Sequence, residues 1–487
     1  MVKNIEKIRN KINNKNIINI MLIFLLLQPL FDILSFLDIR NLIPVGISTY
    51  VKPIVVFGIG VIIYLIDKDE RKKWTILYVL YGILTIGHLI ILNRISTDFS
   101  IILHELRFMI NIGYMLVLYI IFDYMYFKSE NKEEFIVRLK KTLVATFIIY
   151  CITILIAIIT GTSGKTYEYS DAYKLGFKGW LDSGQIFGHA LSICLPFIIY
   201  YLLSYKTENK KIQILLKLCI LMPIIILCLI GTKVTLFMCI IIVLSYVVLS
   251  TFFAIKNKEK SSIINIVFSI IILAGIFLLY TKTPTYYNMS LQGAVDTAYK
   301  NMDASSINWE EQYSELKVEE IPEGSEKFDA RTEYNHYNIY ATQKLKEKYV
   351  DGSLLPSDIR AKQMIYNFSK YKVADVEYKI FGLGYLNQPM DLAIEKDILM
   401  SLFSFGILGF LTMFIVPIAL WIRAVYLMLR NIKKLDLETL LLFEGFSSFF
   451  FISICAGYTF IYTNFSIFLV AIMYLLIHKL SKLKRNV

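Results

Sequence analysis

Long apolar runs recur along the whole chain and are separated by mostly short polar segments. Twelve of these runs are long enough to cross the hydrocarbon core of a bilayer as α-helices, which takes roughly 17 to 25 residues. They cover residues 17–37, 46–66, 74–92, 108–127, 142–160, 187–205, 212–230, 235–254, 263–281, 398–422, 439–457 and 464–480. The pattern predicts an all-α polytopic membrane protein with about twelve transmembrane helices.

The segment between the ninth and tenth runs is the one large polar region of the chain. Its first half contains the acidic stretch WEEQYSELKVEEIPEGSEKFD, and such long segments are usually functional or disordered. Its second half, SDIRAKQMIYNFSKYKVADVEYKIFGLG, spaces apolar residues as a helix does and ends in a glycine-rich turn. We therefore expect transmembrane helices one to nine over residues 1–281, a partly helical loop domain over 282–396, and helices ten to twelve over 397–487.

The chain has 51 Lys and Arg residues against 39 Asp and Glu residues, which gives a formal net charge of +12. A basic chain can bind nucleic acid, but 56% of the residues are hydrophobic and the basic ones concentrate in short loops between apolar runs. Roughly 28 basic residues fall on the side that carries both termini, and roughly 8 fall in the short loops opposite. We therefore expect cytoplasmic termini, an extracytoplasmic large loop and no nucleic-acid partner.

Few ionisable residues lie within the predicted spans, and the clear ones are Asp32, Asp123, Lys217 and Glu444. They form no run of carboxylates of the kind that relays protons in pumps, which disfavours a pump or antiporter. All six cysteines lie in or beside apolar runs, without a CxxC pair or a metal-ligand spacing. We therefore expect neither a metal ion nor another cofactor.

Basic residues also stand at the helix ends that are predicted to be extracytoplasmic. They are unexpected there, because Lys and Arg normally concentrate in cytoplasmic loops. Snorkelling and helix capping explain many residues of this kind. A cluster of them also suits a phosphate-bearing lipid, because a guanidinium group donates two parallel hydrogen bonds to phosphate oxygens. Positive charge would stabilise a departing pyrophosphate, and a nearby carboxylate would accept the proton of an incoming sugar hydroxyl. This combination would make a glycosyltransferase.

Four segments at this face resemble those of a known family. KGWLDSGQIFGHALSICLPF (178–197) has a glycine-aromatic pair before an apolar helix, and GTKVTLF (231–237) has a basic residue, Lys233, after Gly-Thr. Arg360 precedes the turn FGLGY by about twenty residues, and EKDILMSLFSFGILGF (395–410) follows that turn. In their order and spacing these segments resemble the O-antigen ligase and O-antigen polymerase superfamily of bacterial surface-polysaccharide membrane proteins.

The resemblance implies a GT-C-like fold and a metal-independent transferase in the bacterial cytoplasmic membrane. Its donor would be a polyprenyl-pyrophosphate-linked oligosaccharide, and membrane lipid and polysaccharide-assembly proteins would be its other partners. Arg360 and Lys233 would hold the donor pyrophosphate with help from Arg331 or Arg107. Trp180 and the loop tyrosines Tyr366 and Tyr385 would stack on sugar rings, although packing in the core also explains these aromatic residues.

The sequence departs from the family where many ligases have histidine. It has Glu395 and Asp397 in one such place and Tyr458 in another, so a carboxylate is the expected proton acceptor. Asp397 is also a good N-cap for the tenth helix, and a carboxylate held by backbone donors has a lowered pKa and is a poorer base. We therefore expect Glu395, ahead of Asp397, to accept the proton of the acceptor hydroxyl, and Asp397 to have a positioning role.

Two other functions fit the same topology. A polysaccharide flippase or transporter would also bind a lipid-linked glycan, but such proteins usually have two similar halves, and the chain has no internal repeat and one lopsided loop. A non-catalytic scaffold for envelope assembly would use the loop as a docking surface. The resemblance leaves polymerase and ligase both open.

Overall fold

The computed structural model describes residues 14–39, 47–95, 99–168, 173–257, 261–301, 330–355, 358–385, 392–457, 459 and 462–485. Most of these residues are helical. The first helices are α1 (Asn14–Leu26), α2 (Gln28–Ile39), α3 (Ile47–Ile66), α4 (Lys68–Ile95), α5 (Phe99–Phe127) and α6 (Lys132–Ile159). A small antiparallel hairpin follows, with strands β1 (Gly164–Lys165) and β2 (Phe177–Gly179).

The chain then continues as helices on both sides of the large polar segment. The helices before it are α7 (Gly184–Ser204), α8 (Lys210–Leu218), α9 (Leu221–Leu229), α10 (Lys233–Asn257) and α11 (Ser261–Leu279). Those within it are α12 (Pro284–Lys300), α13 (Ala330–Val350), α14 (Ile359–Val373) and α15 (Val376–Phe381). The last three are α16 (Asp397–Arg430), α17 (Leu437–Cys455) and α18 (Thr463–Arg485).

Each predicted span overlaps one or two of these helices, and the polytopic all-α architecture is confirmed. In the described part of the chain, ten helical segments are long and apolar enough to cross a membrane when α8 and α9 are counted as one, or up to eleven if α1 and α2 also form one bent span. The bend between them is 48° and lies at Leu27, two residues before Pro29, whose ring does not fit an unbroken helix. Residues Tyr50–Ile66 of α3 form a shorter apolar helix. The number twelve and the GT-C-like classification stay predictions.

Helices α5, α7 and α18 form the centre of the bundle, and most residues of their apolar stretches are buried. The peripheral helices α4 and α11 instead leave large apolar side chains exposed, such as Ile76 at 75% and Leu278 at 81%. A water-soluble protein would not expose such a surface, whereas lipid covers it at no cost. The exposed apolar girdle therefore agrees with a bundle embedded in lipid.

Helices α13 to α15 pack over one end of the bundle, which we call the loop face. Tyr337 of α13 and Tyr378 of α15 pack with Ile91 and Leu92 near the end of α4. Helices α4, α6, α9 and α17 end at this face, and α5, α7, α10, α16 and α18 begin there. At the opposite face, Lys–carboxylate pairs join the helix ends: Lys128 with Asp67 (3.1 Å), Lys479 with Asp436 (2.8 Å) and Lys482 with Glu133 (2.9 Å).

Each of the four ionisable residues expected within the spans has a polar partner. Asp32 pairs with Lys52 at 2.7 Å and accepts a 2.5 Å hydrogen bond from the Tyr150 hydroxyl, and all three residues are buried. Asp123 accepts a hydrogen bond from Trp74 Nε1 (3.0 Å), Glu444 accepts one from Ser245 Oγ (2.6 Å), and Lys217 donates one to Asn265 (2.8 Å). These charges are satisfied locally, as burial in an apolar bundle requires.

The turn after α15 interlocks with a break in α16. Gly406 has φ 71° and ψ −173° inside α16, so the helix is interrupted there. Leu383 N–H donates to the Phe403 carbonyl (3.0 Å) and Gly384 N–H to the Ser404 carbonyl (3.1 Å). Two N–H groups of the turn thus bond two carbonyl groups just before the break. These four backbone groups therefore have partners within the apolar interior.

Glycine is required at both crossing points. A Cβ atom on Gly382 would lie 2.0 Å from the Ser404 carbonyl oxygen, and one on Gly406 would lie 2.3 Å from the Ile380 carbonyl oxygen. Both residues also have positive φ, which side chains other than glycine rarely adopt.

We predict that Gly406→Ala lowers the free energy of unfolding by roughly 1 to 3 kcal/mol, because alanine meets both the positive φ and the carbonyl of Ile380. The matched control is Gly275→Ala in α11, where a Cβ atom would meet nothing within 4 Å. The measurement is thermal unfolding of the two detergent-purified variants and the parent. Equal thermal unfolding midpoints for the two variants would show that the interlock does not require glycine at position 406.

Candidate functional site

The segment that begins α16 lies against the turn after α17. Gly457, with φ 73°, makes this approach possible, because a Cβ atom there would lie 1.6 Å from the Glu395 carbonyl oxygen. Asp397 is fully buried, and its Oδ2 accepts hydrogen bonds from the Thr459 N–H (2.9 Å) and from the Thr459 hydroxyl. Lys396 holds the N-cap position of α16 and Asp397 is the first helical residue. The expectation that Asp397 is the N-cap is therefore wrong, and its carboxylate instead joins α16 to the turn after α17.

Arg360 and Glu395 are adjacent on the loop face. Arg360 Nε lies 3.6 Å from Glu395 Oε2, and the two side chains are 43% and 27% exposed. Arg360 Nη1 also donates a 3.0 Å hydrogen bond to the Cys455 carbonyl at the end of α17. The guanidinium group is thus fixed on one edge, while much of its surface remains open to an anion. The structure brings together a predicted phosphate ligand and a predicted proton acceptor.

The turn that carries Lys233 adjoins this pair. Asn288 of α12 holds the turn in place, donating to the Gly231 carbonyl (2.9 Å) and bonding both the N–H and the carbonyl of Leu175 (2.7 Å each). Lys233 is exposed and is the first residue of α10, where the helix dipole adds positive potential.

Tyr167 links the two cationic positions. Its hydroxyl donates to the Gly231 carbonyl at 3.4 Å, beside the Lys233 turn. Burial raises the pKa of Tyr167; Arg360 lies close enough to lower it in part, and Glu395 close enough to raise it further. Tyr167 therefore lies between the Lys233 turn and the Arg360–Glu395 pair.

Tyr385 lies on the other side of the carboxylates. Its ring packs edge-on against Phe108 with centroids 4.8 Å apart, and its side chain is largely buried. Burial raises the pKa of Tyr385, and the charges of Glu395 and Asp397 raise it further. This side chain is thus near both carboxylates, although only a small part of it is exposed to stack on a sugar.

Tyr462 and Asp182 belong to the same region and were not predicted from the sequence. Burial, followed by the charges of Asp182 and Asp397, raises the pKa of Tyr462 to about 12, and Arg107 partly opposes that rise. Arg107 is exposed and is close enough to affect Asp182 as well. Asp182 stands inside KGWLDSGQ, the start of a segment that carries the family resemblance, so the sequence offered a reason to consider it. No pattern in the sequence marks Tyr462 or Thr459.

Two other expected residues make hydrogen bonds elsewhere, and two lie partly or wholly outside the described structure. Trp180 is half-buried, and its Nε1 donates to Thr162 Oγ1 at 2.9 Å beside the hairpin. Tyr366 is fully buried and donates to Asn338 Oδ1 at 2.9 Å, so it packs between α13 and α14 instead of facing a sugar. Arg331 lies in α13, but its side chain is outside the described parts of the structure, and Tyr458 is outside them altogether.

The site therefore brings cations, carboxylates and phenols together at the loop face. Within the residues that the structure describes, no three His, Cys, Asp or Glu side chains are grouped so that they could hold a metal ion. Arg360, Lys233 and Arg107 supply positive charge, and Glu395, Asp397 and Asp182 supply negative charge. Such a surface can bind an anionic group and remove a proton from a neighbouring hydroxyl.

A family described as O-antigen ligase like membrane protein matches residues 14–483, which is nearly the whole chain. No curated protein matches the chain significantly.

Asp182 and Asp351 should give opposite pH trends in stability. Burial raises the pKa of Asp182 from 3.8, with the charge of Asp32 adding to the rise, so its contribution to folding is lost as pH increases above that value. Bonds from Ser353, followed by Lys348, lower the pKa of Asp351 to about 2, so its contribution is present above pH 3.8 and is lost as pH falls.

We therefore predict that, between about pH 2 and about pH 7, Asp351→Asn loses thermal stability relative to the parent as the pH rises towards 4, while Asp182→Asn gains thermal stability relative to the parent as the pH rises above 4. Melting curves of the detergent-purified variants across this range test the prediction. The same trend for both variants would contradict it, because the two carboxyl groups must then have pKa values shifted in one direction.

Proposed function

Since the chain belongs to the family of O-antigen ligase-like membrane proteins, we propose that it is a polymerase or ligase of bacterial surface polysaccharide. The family supports a membrane protein of polysaccharide assembly with a glycosyltransferase-type activity. The finer proposal is that it transfers a glycan from a polyprenyl-pyrophosphate donor to a sugar hydroxyl. The acceptor would be another lipid-linked glycan for a polymerase or a different envelope molecule for a ligase.

The observation that carries this proposal is the Arg360–Glu395 pair. At 3.6 Å and with both side chains partly exposed, the pair contributes on the order of 0 to 1 kcal/mol to stability. A pyrophosphate carries at least two negative charges and offers two oxygens to the planar guanidinium, so it competes well against one carboxylate. Binding of the donor would thus free Glu395 at the moment when a base is needed.

The proposed reaction is a displacement at the anomeric carbon of the donor sugar. The acceptor hydroxyl oxygen forms the new bond to that carbon, and the bond from the carbon to the pyrophosphate oxygen breaks. The bonding pair leaves with the polyprenyl pyrophosphate, whose developing charge Arg360 and Lys233 stabilise without a metal ion. Glu395 accepts the proton of the hydroxyl.

The remaining residues assist these two roles. Lys233 adds its charge to that of the α10 N-terminus, which favours phosphate oxygens. Arg107 and Arg331 would extend the cationic surface, and Trp180 and Tyr385 would contact sugar rings. Asp397 is buried and bound by Thr459, so it fixes the start of α16 below Glu395 and is not placed to meet an acceptor.

We place this site on the outer side of the bacterial cytoplasmic membrane. The face opposite the loop carries the first and last described residues, Asn14 and Arg485, and the lysines Lys128, Lys479 and Lys482, in line with the excess of basic residues found in cytoplasmic loops. Both termini would then be cytoplasmic. Lipid-linked oligosaccharide would reach the loop face from the surrounding bilayer.

Flippase or scaffold functions are less well supported. The ionisable residues within the spans are bound to neighbouring side chains, such as Asp32 with Lys52 and Tyr150, and so are not arranged along a path. A scaffold does not require a partly exposed arginine next to a carboxylate. These two observations favour transfer chemistry over translocation or docking.

We predict that Arg360→Ala and Glu395→Gln each lower transfer by about 100-fold, because one removes the donor's pyrophosphate contact and the other removes the base. The assay uses purified protein with a lipid-linked oligosaccharide and measures longer or transferred glycan. The matched controls are Arg94→Ala and Glu377→Gln, which remove members of another exposed Arg–Glu pair (3.5 Å) on the loop face and should retain transfer.

Other outcomes would reject parts of the proposal. Full transfer by both site variants would mean that the site is elsewhere, even if the parent protein is a transferase. Movement of the lipid-linked glycan across vesicle membranes without new glycosidic bonds would reject the transferase and support the flippase.

A further inference from the structure

The turn that carries Tyr385 is held by side chains as well as by the break in α16. The Phe381 carbonyl lies 2.7 Å from His88 Nδ1, and the Tyr385 N–H donates to Glu105 Oε1. Between these two residues, Gly382, Leu383 and Gly384 donate to the carbonyls of Tyr378 (2.8 Å), Phe403 (3.0 Å) and Ser404 (3.1 Å). Side chains from α4 and α5 thus supply the partners at the two ends of the turn.

His88 and Glu105 are fully buried and contact each other. His88 Nε2 lies 3.3 Å from Glu105 Oε2, and both side chains have 0% exposure. Because a carbonyl oxygen only accepts, His88 Nδ1 carries the hydrogen that bonds the Phe381 carbonyl. A proton must then lie between His88 Nε2 and Glu105 Oε2, since two acceptors would otherwise face each other in an apolar interior.

We propose that Glu105 and His88 form a clamp that positions the Tyr385 turn beside the carboxylates of the site. Glu105 holds the Tyr385 backbone, and Arg107 of the site stands on the same turn of α5. Tyr385 in turn is near Glu395 and Asp397. The role of the clamp in transfer rests on the proposed function, whereas its hold on the turn does not. Glu105 and His88 are therefore positioning residues that touch neither substrate.

If the clamp is correct, Glu105→Gln and Glu105→Ala should have different effects on the turn. In Glu105→Gln, the amide oxygen can still accept from the Tyr385 N–H, and the amide N–H can donate to neutral His88 Nε2. Both contacts are therefore kept without the charge. In Glu105→Ala, the Tyr385 N–H and His88 Nε2 lose this partner in the protein interior, so the turn should leave its place.

The first test measures the position of the turn. Tyr385→Cys is made in a full-length chain whose six native cysteines are replaced by serine, and the rate of reaction with a water-soluble maleimide is measured. Because the side chain at position 385 is 9% exposed, we expect slow labelling, about tenfold faster labelling on adding Glu105→Ala, and a rate within about twofold on adding Glu105→Gln. His104→Ala, an exposed neighbour on α5, is the control and should leave the rate unchanged.

The second test measures transfer with Tyr385 intact. We expect Glu105→Ala to lower kcat by about tenfold with a smaller change in KM, and Glu105→Gln to restore the parent value. If Glu105→Ala cannot be purified in folded form, His88→Ala takes its place, because it frees the Phe381 end of the turn and removes the partner of Glu105 Oε2. Absence of transfer in the parent would reject the proposed function, while the labelling rates would still decide the clamp.

Two results would overturn the clamp. Equal labelling in Glu105→Ala and the parent would show that Glu105 does not hold the turn. Labelling or kcat in Glu105→Gln as impaired as in Glu105→Ala would show that the charge of Glu105, and not its hydrogen-bond geometry, is what the protein needs.

Discussion

The structure depends on one constraint: backbone that is not helical can enter an apolar helix bundle only if each of its polar groups finds a partner there. The turn from Phe381 to Tyr385 meets this constraint by interlocking with the break at Gly406 in α16. This interlock brings the large polar segment back to the bundle and fixes the direction from which α16 starts. Glu395 and Asp397 stand at that start, where the turn after α17 holds them through Gly457 and Thr459.

The ion pairs described above differ between the two faces of the bundle in how closely the charged groups approach each other. At the opposite face, lysines are paired with carboxylates at 2.8 to 3.1 Å and join neighbouring helix ends. At the loop face, the Arg360–Glu395 pair is looser and partly exposed, and Lys233 is exposed at the first turn of α10. Close pairs hold helices together, whereas loosely held cations keep the capacity to bind an incoming anion. The second arrangement suits a surface that receives a pyrophosphate.

Parts of the site could be predicted because their chemistry is local. Glu395 and Asp397 are two residues apart and stand directly before an apolar helix, and Lys233 stands in a short turn between two apolar runs. The role of Asp397 was less accessible, because its partner Thr459 lies 62 positions away. Tyr462 and Tyr167 carry no signal of their own, since tyrosine is common along the chain and only packing brings these two beside the carboxylates. Tyr366 was expected in the site because it follows Arg360 closely in the sequence, but its side chain is buried.

The sequence by itself determined the membrane class, the positions of the helices and the family resemblance, because run length, apolar composition and local motifs act over short distances. Only the tertiary structure decided which of the charges meet. It placed Arg360 against Glu395, buried Asp397 under Thr459, and joined His88 and Glu105 to the Tyr385 turn. These contacts join residues 17 to 293 positions apart, and their formation depends on how helices pack, which no local pattern in the chain encodes.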